Sequence, residues 1–261
     1  MSVNLYKDVA ELYDSDNRNI IKDDIDFYLS MVSKKSKNIL ELGCGTGRII
    51  IPLLMKTNVK IFGLDLSQSM LDVLEKKLRK FTYYKNYDNL DIRKGDFSSF
   101  NYNELFDLII LPYRNFQSLY DIDKALNCLK CCAKHLSSRG KIVINTFDPK
   151  NNMTEDWIRE ETVNWINFDA ELTECVIGTD NRHRIDLNNN IIFVHLNYYK
   201  IKIGEKIEKF QESLILKYYY FEALRELILN SGLQITKKYG YYDKRPLFKG
   251  SEYILICERT K

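Results

Sequence analysis

The 261-residue sequence predicts an α/β fold: a seven-stranded, mostly parallel sheet with helices on both faces, plus a small antiparallel β insert. Three observations carry this. Short β-like runs alternate with amphipathic helical runs from about Asn38 to Phe147, the pattern of strands joined by helical crossovers. One of those runs, Phe106 to Leu111, is almost wholly apolar, as a strand covered on both faces requires. After Pro149 the texture changes to consecutive β-rich runs separated by turn residues.

Taken in order, Lys37 to Leu42 reads as a buried strand ending in a glycine loop. Arg48 to Met55 follows as a helix that Pro52 either keeps short or occupies in its first turn. Lys60 to Asp65 is a second strand. Ser67 is an N-cap candidate for the next helix, whose apolar stripe is Met70, Leu71, Leu74 and Leu78. A basic, tyrosine-rich connection from Phe81 to Asn89 leads to a third strand near Asp91 to Gly95, and Phe106 to Leu111 is the fourth. The helix Asp121 to Leu136 stops at Ser137-Ser138-Arg139-Gly140, and Lys141 to Phe147 is the fifth strand. Thr162 to Phe168, Leu172 to Thr179, Ile191 to Ile203 and Lys206 to Lys217 form an insert of three or four strands. Its turns are expected at Asp180-Asn181-Arg182, Asn188-Asn189-Asn190 and Gly204-Glu205. A helix from Phe221 to Asn230 ends at Ser231-Gly232, and strands near Leu233 to Tyr239 and Glu252 to Arg259 close the sheet. Residues 1–149 and 218–261 are thus the expected core, and 150–217 the insert.

A net charge of +3 is too small to imply nucleic-acid binding by itself. The N-terminal MSVNLYKDVAELYD has no secretory pattern, and no apolar run is long enough to span a bilayer, so a cytoplasmic protein without membrane attachment is expected. Cys128, Cys131 and Cys132 form a CxxCC group inside a helical pattern. No second Cys pair or His pair completes four ligands, so buried thiols are expected and no metal.

The segment Glu41-Leu42-Gly43-Cys44-Gly45-Thr46-Gly47 places glycines between a strand and a helix, where backbone can approach a ligand. A dinucleotide fingerprint would need its third glycine where Arg48 stands, and no Walker Lys-Ser/Thr follows. Asp65, ending the second strand, can accept both hydroxyls of an adenosine ribose. Asp96, in Gly95-Asp96-Phe97, can accept from an adenine amino group while Phe97 flanks the ring.

ILELGCGTGRIIIPL, GLDLSQSML, GDF, FDLIILPYRNFQSL and HLSSRGKIVINTF, in this order and spacing, resemble the successive motifs of class I S-adenosylmethionine-dependent methyltransferases, with a Rossmann-like sheet. The resemblance runs from about Tyr13 to Phe147. It implies S-adenosylmethionine as cofactor, with Gly43, Cys44 and Gly45 under its methionine part. Asp65 would hold the ribose, Leu66 and Met70 would border the adenine, and Asp96 and Phe97 would bind it. Leu111 would offer backbone near the sulfonium, and Tyr13 resembles a tyrosine that covers the cofactor.

More loosely, the insert and GYYDKRPLFKGSEYILICERTK resemble the branch with amino-sugar N,N-dimethyltransferases and related small-molecule enzymes. That implies a small-molecule acceptor methylated at N or O, and an insert that caps the acceptor site, pairs two copies, or both. The histidine common in such enzymes is replaced here by Gln117-Ser118. Methyl transfer from an activated sulfonium needs alignment and water exclusion more than a general base. Tyr13 and Arg114 are the candidate catalytic residues, Arg114 either holding an acidic substrate group or forming an ion pair at the core edge. His195 is placed in an insert strand and His183 in a turn. Two alternatives stay open: an RNA or protein methyltransferase, kept by the Lys80 to Lys85 stretch, and a non-catalytic cofactor-binding sensor or partner subunit. The Asn/Asp-Pro-Pro-Tyr/Phe motif of nucleic-acid enzymes is missing, with Leu111-Pro112-Tyr113 only a partial echo.

Overall fold

The computed structural model describes residues 5–18, 20–81, 87–150 and 152–260. Most of the Lys80 to Lys85 stretch therefore lies outside the described residues.

Five strands form the parallel part of one sheet: β1 (Asn38–Leu42), β2 (Lys60–Asp65), β3 (Leu90–Lys94), β4 (Phe106–Leu111) and β5 (Leu136–Phe147). With β10 (Leu233–Tyr239) and β11 (Glu252–Arg259), the order is β10-β11-β5-β4-β1-β2-β3, and β11 runs antiparallel to both neighbours. The chain steps from β1 outward to β3, then returns to the other side of β1 as β4. The sheet thus reverses its winding between β1 and β4, where a crevice opens at the strand ends.

Both faces are covered. On one, α1 (Ile20–Met31), α2 (Ile50–Lys56) and α3 (Gln68–Leu78) bury Phe27, Leu53 and Leu74 against Ile39, Ile61 and Ile110. On the other, α4 (Ile122–His135) and α5 (Phe221–Asn230) bury Leu129 and Ile228 against Leu40, Ile109 and Ile144. Alternate residues of each strand face opposite cores, which is why the strand sequences are apolar throughout. Ser67 caps α3 by accepting from the Met70 N–H, and Asp121 caps α4 by accepting from Asp123 and Lys124.

The insert is a second, four-stranded antiparallel sheet in the order β6 (Arg159–Phe168), β7 (Glu174–Asp186), β8 (Ile191–Lys202), β9 (Glu208–Lys217). Its inner face packs Trp165, Val176 and Tyr198 on Val9 and Leu12 of the N-terminal segment.

Three sequence expectations change. Ser137 to Gly140 do not end the helix in a turn: Leu136 already pairs with Phe106 and Lys141 with Leu108, so these four residues bulge opposite Asp107. Ser137 Oγ donates to Asp107 Oδ1 at 2.7 Å and holds the bulge. Asp180-Asn181-Arg182 is not a turn either. β7 runs through it because Asp180, though buried, accepts from Arg159, Asn164 and Arg182, and His183 consequently lies in a strand. Helix α1, which the sequence reading did not separate, packs beside the glycine loop. Among the described residues no helix is long and apolar enough to cross a membrane.

Candidate active site

The crevice between β1 and β4 is built from the two loops that leave those strands. After β1, Gly43, Gly45 and Gly47 all take positive φ, at 76°, 51° and 84°. Such a run curls the backbone at low cost only for glycine, and Gly43 N and Cys44 N donate to Leu64 O at 2.7 and 3.1 Å while Gly47 N donates to Cys44 O at 2.9 Å. The Asp65 carboxylate ends β2 beneath this curl. Its Oδ2 accepts from Gly45 N at 2.7 Å and its Oδ1 from Ser67 N at 2.8 Å. Burial pushes this carboxyl's pKa up, while the N–H donors of Ser67, Gly45 and Leu66 pull against it. A carboxylate offers about four lone-pair positions, so with three N–H donors Asp65 keeps room for about one ligand hydroxyl.

The loop after β4 closes the other side. Tyr113 and Arg114 are consecutive left-handed residues, with φ of 47° and 66°. Asn115 then reaches across the crevice: its Nδ2 donates to Gly43 O at 2.8 Å and Leu42 O at 3.2 Å. A Cβ on Gly43 would lie 2.3 Å from that nitrogen, so the close approach itself requires glycine. This amide ties the two loops together.

The N-terminal segment lies over both. Thr46 Oγ1 donates to Asp14 Oδ1 at 2.7 Å, and Lys77 pairs with Asp14 while donating to Thr46 O at 2.8 Å. Ser67 Oγ donates to Leu5 O at 2.5 Å, and Tyr6 N donates to Glu212 on β9 at 2.8 Å. Tyr13 sits in a short 3-10 helix, Ala10–Ser15, its ring edge-on to Tyr6 at 5.6 Å. Burial, then the neighbouring phenols Tyr6 and Tyr113, push the Tyr13 hydroxyl well above its ordinary pKa. Tyr113 accepts from Arg18 Nη2 at 3.2 Å and lies under the Arg48 guanidinium at 5.2 Å. Tyr198 on β8 packs on Val9 and Leu12 of this segment, its pKa raised by burial and then by Tyr113.

The remaining expected residues are distributed around the crevice. Cys44 is buried against the sheet, and burial raises its thiol pKa well above the ordinary value. Met70 is buried beside Ala10 and Val73, with Tyr6 and Tyr13 packed against them. Leu66 is exposed, Leu111 is fully buried at the end of β4, and Phe97 packs against the α4 side of the core. Asp96 is exposed and accepts from Ser98 N at 2.8 Å. Arg114 takes the ion-pair arrangement. Its Nη2 contacts Glu252 Oε1 at 2.5 Å and its Nε contacts Oε2 at 3.3 Å. Asn145 also donates to Glu252 and accepts from Arg114 N. Gln117 is fully buried, donating to Lys217 O at 2.9 Å and accepting from Phe147 N at 3.0 Å. It therefore stitches the ends of β9 and β5 to this loop.

Three residues beside the glycine loop have partners or roles that the sequence reading did not assign. Glu41 is 2% exposed, and its Oε2 has no hydrogen-bond partner among the described residues. Burial drives its pKa well above the carboxylate range, with Arg48 opposing. Arg48, standing where a dinucleotide loop has glycine, forks onto the fully buried Asp24 of α1 at 2.5 and 2.8 Å. Asn115 is the third. Only the charge of Arg48 at a glycine position hinted at any of them. An acid with one unpartnered oxygen beside the glycine loop fits a ligand with a cationic group. Cys128 and Cys132 are buried and Cys131 half-buried on α4; among the described residues no three His, Cys, Asp or Glu are grouped to hold a metal.

A family model described as a methyltransferase domain matches residues 33–196. The chain is 28% identical over 129 residues to a demethylmenaquinone methyltransferase of Lactobacillus johnsonii, covering 48% of this chain and 50% of that protein. It is 34% identical over 119 residues to malonyl-[acyl-carrier protein] O-methyltransferase 1 of Ilyobacter polytropus, covering 45% and 41%. The chain thus spans about half the length, or less, of these curated relatives. Among solved structures, the CcbJ methyltransferase from Streptomyces caelestis superposes with a TM-score of 0.75 at 18% identity, covering 100% of this chain and 98% of that one. A S-adenosylmethionine-dependent methyltransferase from Clostridium acetobutylicum gives 0.75 at 20% identity, covering 97% and 96%. These two likenesses establish the fold, insert included.

Proposed function

Because the chain belongs to the methyltransferase-domain family, we propose that it transfers a methyl group from S-adenosylmethionine to a small-molecule acceptor, at N or O. The observation that carries the reading is the left-handed glycine curl closed onto Asp65 at the reversal of the sheet, under Tyr13. In this reading Gly43, Cys44 and Gly45 lie under the methionine part and Glu41 faces its ammonium. Asp65 takes the ribose, Leu66 and Met70 border the adenine, and Asp96 and Phe97 hold it. Leu111 lends backbone near the sulfonium, and Tyr13 covers the cofactor. The likeness in fold to a sugar N-methyltransferase from Streptoalloteichus and to an amino pentose methyltransferase from Micromonospora echinaspora supports the small-molecule choice.

The cofactor supplies an activated methyl group with a good leaving group. The chain's own contribution is alignment and exclusion of water. Tyr13, Tyr113 and Tyr198 line the acceptor side in this reading, and an amine acceptor gives up its proton to water so that its lone pair can attack the methyl. We read residues 150–217 as a cap on the acceptor recess, with the outer face of the insert as the surface for a second copy. Arg114 acts in this reading by holding Tyr113 and Asn115 in place through Glu252.

The test is calorimetry with S-adenosylhomocysteine, followed by label transfer from S-adenosylmethionine to amine metabolites, carboxylic acids and total RNA. Binding that Asp65→Ala weakens at least about tenfold, the loss of a charge-assisted hydrogen bond, is the expected outcome. A folded protein that takes up neither cofactor form would overturn the reading. Label entering RNA alone would replace the small-molecule acceptor.

A further inference from the structure

The far edge of the main sheet carries a groove that methyl transfer does not use. β10 ends the sheet, four strands from β1 and so roughly 19 Å away at about 4.8 Å per strand. One side of β10 pairs with β11, and among the described residues no strand pairs the other. An antiparallel strand turns every second residue's N–H and C=O outward, so this edge offers donors and acceptors to an incoming chain. Helix α5 flanks it. Phe221, Arg225 and Leu229, four residues apart along one side of the helix, line an open groove of about 290 Å3 together with residues 234–238. Ligand pockets run from about 300 to about 1,000 Å3, so this volume suits the side chains of a strand better than a cofactor. Its apolar lining is open to solvent, Leu229 being 45% exposed and Ile235 half-buried.

Every charged residue lining the groove is a cation. Lys238 Nζ stands 4.8 Å from the Phe221 ring centroid. Arg225 pairs with Glu222 within α5 at 2.6 Å, whereas Lys237 and Lys238 form no ion pair among the described residues. Two copies meeting at this edge would set lysine against lysine, and the bulge at Thr236, between the pairings of Ile235 and Lys237, bends it away from a flat mate. A short acidic strand gains where a second copy loses, and five residues, roughly 17 Å, are all it must pair along. We propose that β10 and α5 form a docking groove for a short acidic segment of a partner protein, added to β10 as an extra strand. Its carboxylates meet Lys237 and Lys238, and an apolar side chain rests on Leu229 and Ile235. Main-chain bonds supply the affinity, and the lysines select the sign of the partner's charge.

The probe is a fluorescein-labelled hexapeptide alternating glutamate with valine, titrated into the full chain by fluorescence anisotropy. Saturable binding that weakens as NaCl is raised is expected, with hydrogen-exchange protection confined to residues 234–238 and the adjoining helix. The same peptide with lysine for glutamate, or N-methylated throughout its backbone, should not bind. Lys237→Glu/Lys238→Glu should weaken binding about tenfold, as two surface ion pairs become repulsions, while circular dichroism and S-adenosylhomocysteine affinity stay unchanged. No saturable binding, binding that survives the charge reversal, or protection at another strand edge overturns the proposal. So does a dimer of the chain alone that protects residues 234–238, which would put a second copy there. A labelled oligouridylate that protects these residues when the peptide does not would replace the acidic strand with a nucleic acid.

Discussion

Gly43→Ala measures how far the crevice depends on backbone that only glycine supplies. At φ 76° a side chain costs about 1–2 kcal/mol in local strain. The new Cβ would also stand 2.3 Å from Asn115 Nδ2 and 2.8 Å from its Cγ, so the Asn115 side chain must leave. That removes its bonds to Gly43 O and Leu42 O, worth about 1 kcal/mol each. The total is about 3–4 kcal/mol, or roughly 10 °C in Tm for a chain of this size. Gly204→Ala is the reference, because Gly204 has φ 77° with no heavy atom within 4 Å of its would-be Cβ; strain alone, about 1–2 kcal/mol, is expected there. Asn115→Ala should cost about 2 kcal/mol for the two bonds. Because it also removes the clash, the double variant should be no worse than Gly43→Ala alone. Urea unfolding of the four proteins closes the cycle. If Gly43→Ala is as mild as Gly204→Ala, or if the two crevice substitutions simply add, the reasoning fails.

Three further outcomes are expected. Glu41 has its folded pKa raised by burial, so the folded state holds its proton more tightly than the unfolded chain, and stability should fall as pH rises from the unfolded value through the folded one; Glu41→Gln, followed by Tm from about pH 4 to about pH 8, should flatten that decline, and an unchanged profile would remove Glu41 as its source. Arg114→Ala leaves the Glu252 carboxylate, 1% exposed, without its cation, and about 2–3 kcal/mol should be lost in urea unfolding, scaled down because the arginine side chain is 38% exposed; Arg114→Ala/Glu252→Gln should recover part of it. Gln117→Ala opens two buried bonds to Lys217 O and Phe147 N, for which about 2 kcal/mol is expected, and no change in unfolding midpoint would show that the β9 and β5 ends hold without it.

What the sequence reveals is governed by distance along the chain. The glycine loop and Asp65 are legible because turn chemistry and strand ends are local. Arg114 is legible as a cation with two possible roles but its partner Glu252 is not, and Asn115 is read only as part of a loop, since Glu252 and the Gly43 carbonyl lie 138 and 72 residues away. The same limit hides Arg48–Asp24, because an arginine after a glycine loop does not announce a carboxylate on an earlier helix. Asp180-Asn181-Arg182 misleads for a related reason. Turn residues continue a strand when neighbouring strands satisfy them, and Arg159 with Asn164 does so for Asp180. Ser137 to Gly140 pass for a stop because a bulge and a turn draw on the same residues.

The segment from Leu5 to Arg18 touches the glycine-loop side through Asp14 and the insert through Tyr6 and Asn17, whose Nδ2 donates to Ile166 O at 2.9 Å. On the proposed function a ligand held beneath it would exchange by parting bonds at one or both ends, and the lifetime of this strap would then be one limit on how often the site can turn over.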